Sequence, residues 1–189
     1  MKQTDFLTRY RSDDPHDVDA YIDRGGFLGL QRALELEPAG VIATVRDARL
    51  AGRGGAGFDA GTKWSTVPPD EQAYVVCNAD EGEPGTFKDR FLLRSAPLLV
   101  IEGLIIAGVA VGASQGFIYV RGEYREVIDS LDRLLAKLRS IGYLGDRVLG
   151  SEFSFDIEIM RGGGSYVVGD ETALLSSLMG RRGYPLAKP

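Results

Sequence analysis

Apolar positions recur three and four residues apart in "GGFLGLQRALELE". Phe27, Leu30 and Leu34 share one face, so the span from Tyr21 to Glu37 is predicted helical. Pro38 suits the first turn of a second helix, which would carry Val41, Ile42 and Val45 inward and stop at the glycines beyond. Pro68, Pro69 and Asp70 mark a turn. "AYVVCNA", Ala73 to Ala79, is a short β-rich apolar run and reads as a buried strand. "DEGEPGTFKDR" has no apolar period and reads as a loop. Pro97 opens "PLLVIEGLIIAGVAVGA", which reads as a buried helix; it is shorter than a membrane span and contains Glu102. "GFIYVRG" is the next strand. From Tyr124 to Ile141 the chain is strongly amphipathic, with Ile128, Leu131, Leu134, Leu135, Leu138 and Ile141 on one face. Phe153, Phe155, Ile157 and Ile159 alternate as a strand ending near Met160. "DETALLSSLMG" reads as a final helix, with Asp170 near its start and Gly180 as its stop.

Strands alternating with helices imply an α/β fold, a parallel sheet with helices covering its faces. Ligands of such sheets bind at the carboxyl ends of the strands, where the loops after Ala79 and Met160 lie. A chain of 189 residues fits a single core. A net charge of −5 with a pI near 5.0 argues against a nucleic-acid surface. Cys77 is the only cysteine, so no internal disulfide and no multi-thiolate metal site can form within this chain, and a reducing, cytoplasmic compartment is expected. "MKQTDFLTRYRSDDPHD" has no apolar core, so neither a signal peptide nor direct membrane insertion is expected.

Three loops carry candidate chemistry. "GRGGAGFDAGTKW", Gly52 to Trp64, frees its backbone N–H groups for an anion, with Arg53 and Lys63 as flanking cations and Phe58 and Trp64 as flat apolar surfaces. A flexible turn fits the same letters. "RGGGSYVVGDET" lies between a strand and a helix N-terminus, where N–H groups are again free; a tight crossover is the alternative. "NADEGEPGT" carries Asp80, Glu81 and Glu83, and composition alone reads it as a solvated acidic loop. No spaced ligand set points to a metal, His16 is expected to be exposed, and no nucleophile–histidine–acid set emerges.

"GRGGAGF", "VCNADEGEPGTFKDR", "IEGLIIAG", "YVRGEY" and "GDETALLSSLMGRRG", in this order, resemble the NADH-binding flavoprotein subunit of respiratory complex I. The related diaphorase subunits of NAD-dependent formate dehydrogenases and NAD(P)-linked hydrogenases share these motifs, and the resemblance runs from Asp14 to Pro189. It implies an N-terminal lead-in over residues 1–50 and a modified Rossmann-like FMN- and NADH-binding domain over 51–189. It implies hydride transfer from NADH to FMN, then release of single electrons to iron–sulfur clusters of partner subunits. FMN and NAD(H) contacts carry over to Gly52, Arg53, Gly54, Gly55, Gly57, Phe58, Lys63, Asn78, Asp80, Glu81, Glu83, Tyr166, Gly169, Asp170, Glu171 and Lys188. Among these, Asn78 and Asp80 would meet the flavin and Glu83 the NADH. Lys63, Glu83 and Glu171 are the catalytic candidates.

The sequence departs from the family at several positions. Thr66 stands where many members have an aromatic residue, and Asp170 replaces the first of two glutamates. Met179, Tyr184 and Leu186 replace commonly charged residues, which leaves NAD versus NADP open. The family continues into a ubiquitin-like domain and a 4Fe-4S domain, so the chain is expected to be an N-terminal fragment that by itself binds FMN weakly. A position on the cytoplasmic side of a membrane-bound complex is also expected. A non-catalytic nucleotide-binding or assembly module is the alternative of another class.

Overall fold

The computed structural model describes residues 14–69 and 72–187, so Asp70 and Lys188 lie outside the described residues. The span predicted as one helix from Tyr21 to Glu37 is two, α1 (Val18–Asp23) and α2 (Leu28–Glu35). The chain breaks at Gly25, with φ 88°, and Phe27, with φ 61°. A bulky side chain disfavours that left-handed backbone. A buried carboxylate holds it there: Glu102 accepts from Phe27 N at 3.0 Å, Leu30 N at 3.1 Å and the Tyr21 hydroxyl at 2.5 Å. Helix α3 (Pro38–Asp47) starts at Pro38 as expected and buries Val41. The short α4 (Ala60–Trp64) follows the glycine loop and is capped by Asp59, whose carboxylate accepts from Thr62 N at 2.6 Å.

Strand β1 (Tyr74–Ala79) leads through α5 (Lys88–Ser95) and α6 (Pro97–Val111) to β2 (Gln115–Arg121). Helix α7 (Arg125–Ser140) and a 3-10 turn at Val148–Gly150 then lead to β3 (Asp156–Gly162). A second 3-10 turn, Tyr166–Gly169, precedes α8 (Glu171–Leu178). The three strands are parallel in the order β1-β2-β3, with Val76 opposite Phe117 and Phe117 opposite Glu158.

Helix α5 corrects the reading of Asp80–Arg90 as loop throughout. Leu93 is its one buried residue, so no apolar period announced it. Strand β3 begins at Asp156 rather than Phe153, because Phe155 is taken up by an antiparallel bridge to Gly145.

Both crossovers step the same way across the sheet. With the usual right hand they therefore land on one face. There Ile118, Val120 and Ile157 meet Leu98, Ile101 and Ile105 of α6 and Ile128, Leu131 and Leu135 of α7. Phe27, Leu30 and Val41 join the same cluster, so the lead-in helices share the core of the sheet. Each such side chain contributes about 1.5–3 kcal/mol by leaving water. Gly108 and Gly116 make room for Phe155, whose ring would lie 2.6 and 2.7 Å from a Cβ at either position.

The opposite face holds a small cluster of Tyr119, Val168 and Leu174 under α8. The expectation of two covered faces thus holds fully for one. As an edge strand, β1 is half-exposed rather than buried, and Tyr74 is 52% exposed. His16 also differs from expectation: it is half-buried against α7, with its ring Nε2 2.5 Å from Ser130 Oγ.

Candidate functional site

The glycine loop is pinched at its base. Ala51 and Asp59 form an antiparallel bridge, Gly52 N donates to Phe58 O at 2.8 Å, and Ala60 N donates to Leu50 O at 2.8 Å. Between them the backbone arches with φ 120° at Gly55 and 63° at Gly57. A Cβ on Gly54, Gly55 or Gly57 would meet no atom of the chain. The arch therefore faces open space, and that space is a cavity of 690 Å³ at the carboxyl ends of the strands.

Ten of the sequence-predicted residues line this cavity: Arg53, Gly54, Gly55, Asn78, Asp80, Glu81, Glu83, Tyr166, Gly169 and Asp170. Three separate loops are brought together here, because the turns after β1 and β3 emerge at the same end of the sheet. Asn78 ties two of them, donating from Nδ2 to Gly169 O at 3.0 Å and accepting from Asp80 N at 3.2 Å. Tyr166 donates its hydroxyl to Glu83 Oε2 at 2.5 Å across the cavity mouth. That bond and the carboxylate charge raise the Tyr166 pKa, which keeps the phenol protonated.

Asp80 differs from its neighbours. It is only 7% exposed, and its Oδ2 is buried with no hydrogen-bond partner. Burial raises its pKa, with the Arg121 guanidinium opposing the shift. An unpartnered buried carboxylate oxygen is unfavourable. Asp80 lines the 690 Å³ cavity, which makes its carboxylate a candidate acceptor for a ligand.

Two acids are already engaged. Glu81 caps α5, accepting from Asp89 N at 2.9 Å and from the Tyr124 hydroxyl at 3.1 Å. Asp170 Oδ1 caps α8, accepting from Thr172 N at 2.9 Å and Ala173 N at 3.3 Å. Both frame the cavity by fixing the helices that bound it.

The remaining candidates lie elsewhere. Lys63 and Glu171 line a neighbouring cavity of 490 Å³ beside the open edge of β1, which also includes Asn78. Gly52, Gly57 and Phe58 belong to the loop but not to the cavity wall, and Phe58 is 58% exposed. The sequence reading missed Arg121, which donates from Nη1 to Glu81 O at 2.8 Å and pairs with Glu123 at 2.8 Å. It also missed Lys88 and Asp89, paired at 2.5 Å on the cavity wall. Arg121 lies within the quoted "YVRGEY", next to the strand end where ligands bind. Lys88 was hidden in the segment read as loop.

Residues 45–189 match the family described as the Nuo51 FMN-binding domain. The chain is 44% identical over 184 residues to an NADH-quinone oxidoreductase component of Aquifex aeolicus, covering 97% of this chain and 43% of that protein. It is 52% identical over 163 residues to the alpha subunit of the NAD-reducing hydrogenase HoxS of Cupriavidus necator, covering 85% of this chain and 27% of that one. A crystal structure of an NAD+-reducing [NiFe]-hydrogenase in its H2-reduced state superposes with a TM-score of 0.74 at 38% identity, over 83% of this chain and 27% of that chain. The chain thus spans less than half the length of these relatives. On the match over residues 45–189, the chain belongs to the Nuo51 FMN-binding domain family.

Proposed function

We propose that this chain supplies the FMN- and NADH-binding part of an NADH-oxidising flavoprotein subunit of the complex I type. Held by residues of this chain, FMN would supply the chemistry that turns hydride removal from NADH into single-electron delivery to iron–sulfur clusters of the longer subunit and its partners. The observation that carries this reading is the buried, unpartnered Asp80 Oδ2 on a 690 Å³ cavity walled by a glycine arch. The residues present fit a flavin nucleotide: an open backbone cradle at Gly54 and Gly55, an acceptor at Asp80, and cations at Arg53 and Lys88 for phosphate.

In this reading the chain's own groups bind and orient. Arg53 and the loop amides hold the anionic end of the nucleotide. Asp80 accepts from a ligand donor, and Asn78 keeps the loop after β1 in register with the turn at Gly169. Arg121 and the Glu81 cap hold the cavity floor rigid, which hydride transfer requires because the reacting atoms must be close and aligned. Glu83, steadied by Tyr166, faces the NADH side. Lys63 and Glu171 act from the adjoining cavity, on a ligand long enough to pass Asn78. Iron–sulfur subunits as partners and a cytoplasmic-facing position follow from the same reading. The 52% identity to part of a hydrogenase favours a soluble diaphorase as the second reading.

The test uses the intact subunit. Purified protein should carry flavin absorbance, and its absence would leave a non-catalytic nucleotide-binding module. Glu83→Gln should shift the KM for NADH and the inhibition by NAD+ about tenfold or more in ferricyanide-coupled oxidation, with flavin content unchanged. Identical values for both proteins would remove Glu83 from the site.

A further inference from the structure

Apart from the glycine arch, a second polar cluster joins the lead-in to α7. Asp14, His16, Ser130, Arg133, Leu134 and Lys137 line a separate cavity of 250 Å³ that shares none of its residues with the nucleotide cavity. Ser130, Arg133 and Lys137 stand at i, i+3 and i+7, which places them on one face of the helix. Leu134, 3% exposed, forms the apolar floor.

The imidazole spans the cluster. His16 Nδ1 lies 3.4 Å from Asp14 Oδ1, and its Nε2 lies 2.5 Å from Ser130 Oγ. Asp14 Oδ1 also accepts from the His16 backbone N at 2.9 Å, which fixes the carboxylate in place. The order carboxylate, imidazole, hydroxyl is that of a nucleophilic triad. The surroundings do not support one, because Ser130 sits within α7, where the backbone N–H groups are spent on the helix and none can form an oxyanion hole. The same geometry serves a different purpose. The imidazole acts instead as a bracket that joins Asp14 to Ser130 and holds the serine hydroxyl at the cavity wall. Arg133 and Lys137 are exposed, and no ion pair holds either among the described residues.

We propose that this cluster is a binding site for a phosphate dianion, either inorganic phosphate or the phosphoryl group of a small phosphomonoester. Guanidinium and ammonium against one carboxylate leave a positive excess, which favours an anion. The serine hydroxyl and the guanidinium fork supply directed hydrogen bonds to its oxygens. A space of 250 Å³ admits phosphate with a few attached atoms and is too small for a dinucleotide. Bound there, the anion would bridge the lead-in to α7 and tie residues 14–16 to the core.

His16 is the chain's one histidine and reports on the site directly. The intact protein is labelled with 15N-histidine, and the His16 signal is identified by its loss in His16→Gln. Inorganic phosphate and glycerol 3-phosphate are titrated separately, against sodium chloride at matched ionic strength. A saturable shift with a Kd of about 1 mM or tighter is expected. It should weaken at least about tenfold in Arg133→Gln/Lys137→Gln and also in Ser130→Ala. Tighter binding of glycerol 3-phosphate would identify an esterified phosphate as the occupant, and equal binding would identify free phosphate. NADH oxidation by the double variant should match wild type, which shows that it folds. No saturable shift, the same shift with chloride, or an unchanged shift in the double variant would overturn the proposal.

Discussion

Asp80→Asn should stabilise the ligand-free protein and weaken its hold on FMN. The two effects share one cause. The wild-type carboxylate is buried with Oδ2 unpartnered, and burial raises its pKa above the usual carboxylate range despite the nearby Arg121. The sign follows from linkage. A folded-state pKa above the unfolded value means that Asp80 favours the fold while protonated, below its ordinary pKa. That contribution is lost as pH rises through the folded value. Rising pH therefore lowers the stability of the fold through Asp80, and asparagine removes that dependence at constant shape.

A buried unsatisfied polar group costs about 1–3 kcal/mol. Arg121 offsets part of this, so about 1 kcal/mol is expected, which for a chain of this size corresponds to a Tm increase of about 2–4 °C. With FMN the order reverses. Exchanging a charged acceptor for a neutral amide loses about 1.5–3 kcal/mol, or roughly 10–100-fold in affinity. Thermal scans of ligand-free wild type and Asp80→Asn at pH 7 and near the ordinary carboxylate pKa, with flavin titration at pH 7, test both halves. The stabilisation should shrink at the lower pH. A variant less stable without ligand, or one binding FMN as tightly as wild type, would refute the assignment of Oδ2 as a ligand acceptor.

Three further outcomes follow. Gly55→Val should lower flavin occupancy in the intact subunit while the fold survives: φ 120° strains any side chain by about 1–3 kcal/mol, and the Cβ would enter the cavity. Unchanged flavin absorbance would return the loop to a plain turn. Glu102→Ala should destabilise the protein by about 3 kcal/mol or more in urea unfolding, because it leaves Phe27 N, Leu30 N and the Tyr21 hydroxyl without their buried acceptor. A loss below about 1 kcal/mol would show that the lead-in is held by apolar packing alone. Cys77, whose thiol burial pushes up to about 11, should resist a maleimide at pH 8 in the native state and react within the same time in urea. Rapid native labelling would contradict the packing of β1 against α6.

Much of the fold was legible because the main elements repeat a clean period. Helix α7 shows Ile128, Leu131, Leu134, Leu135 and Leu138 on one face, with Ile141 just past its end and exposed, and the run into β3 alternates Phe155, Ile157 and Ile159. What escaped had no period to read. Helix α5 buries only Leu93 and is set by a cap from Glu81, a residue outside the helix. The break between α1 and α2 depends on Glu102, whose partners lie 72 to 81 residues away in sequence. In the sequence that glutamate looked like an interruption of an apolar run, and in the structure it is the anchor of the lead-in. Which face would be left open was equally hidden, since it follows from strand order and crossover hand rather than from any local pattern.

The site was legible as three loops, and the fold decides what each residue in them does. Adjacent letters part company there. Asp80 keeps an unpartnered oxygen buried in the cavity wall, while Glu81 turns its carboxylate back into a helix cap and reaches the cavity only as part of its wall. Glu83 returns to the mouth and meets Tyr166 from the loop after β3. The acidic loop is thus neither merely solvated nor a single charged patch, because its carboxylates differ in partner: none for Asp80 Oδ2, the start of α5 for Glu81 and the Tyr166 hydroxyl for Glu83. The glycine loop and the helix after it divide in the same way: Arg53 to Gly55 wall the 690 Å³ cavity, and Lys63, within α4, lines the cavity beside the β1 edge. A ligand that engages both must pass Asn78, which among the described residues is the one common to the two cavities and which ties β1 to Gly169. Under the proposed function, Asn78 is the position where one bound molecule would reach both Lys63 and Glu83.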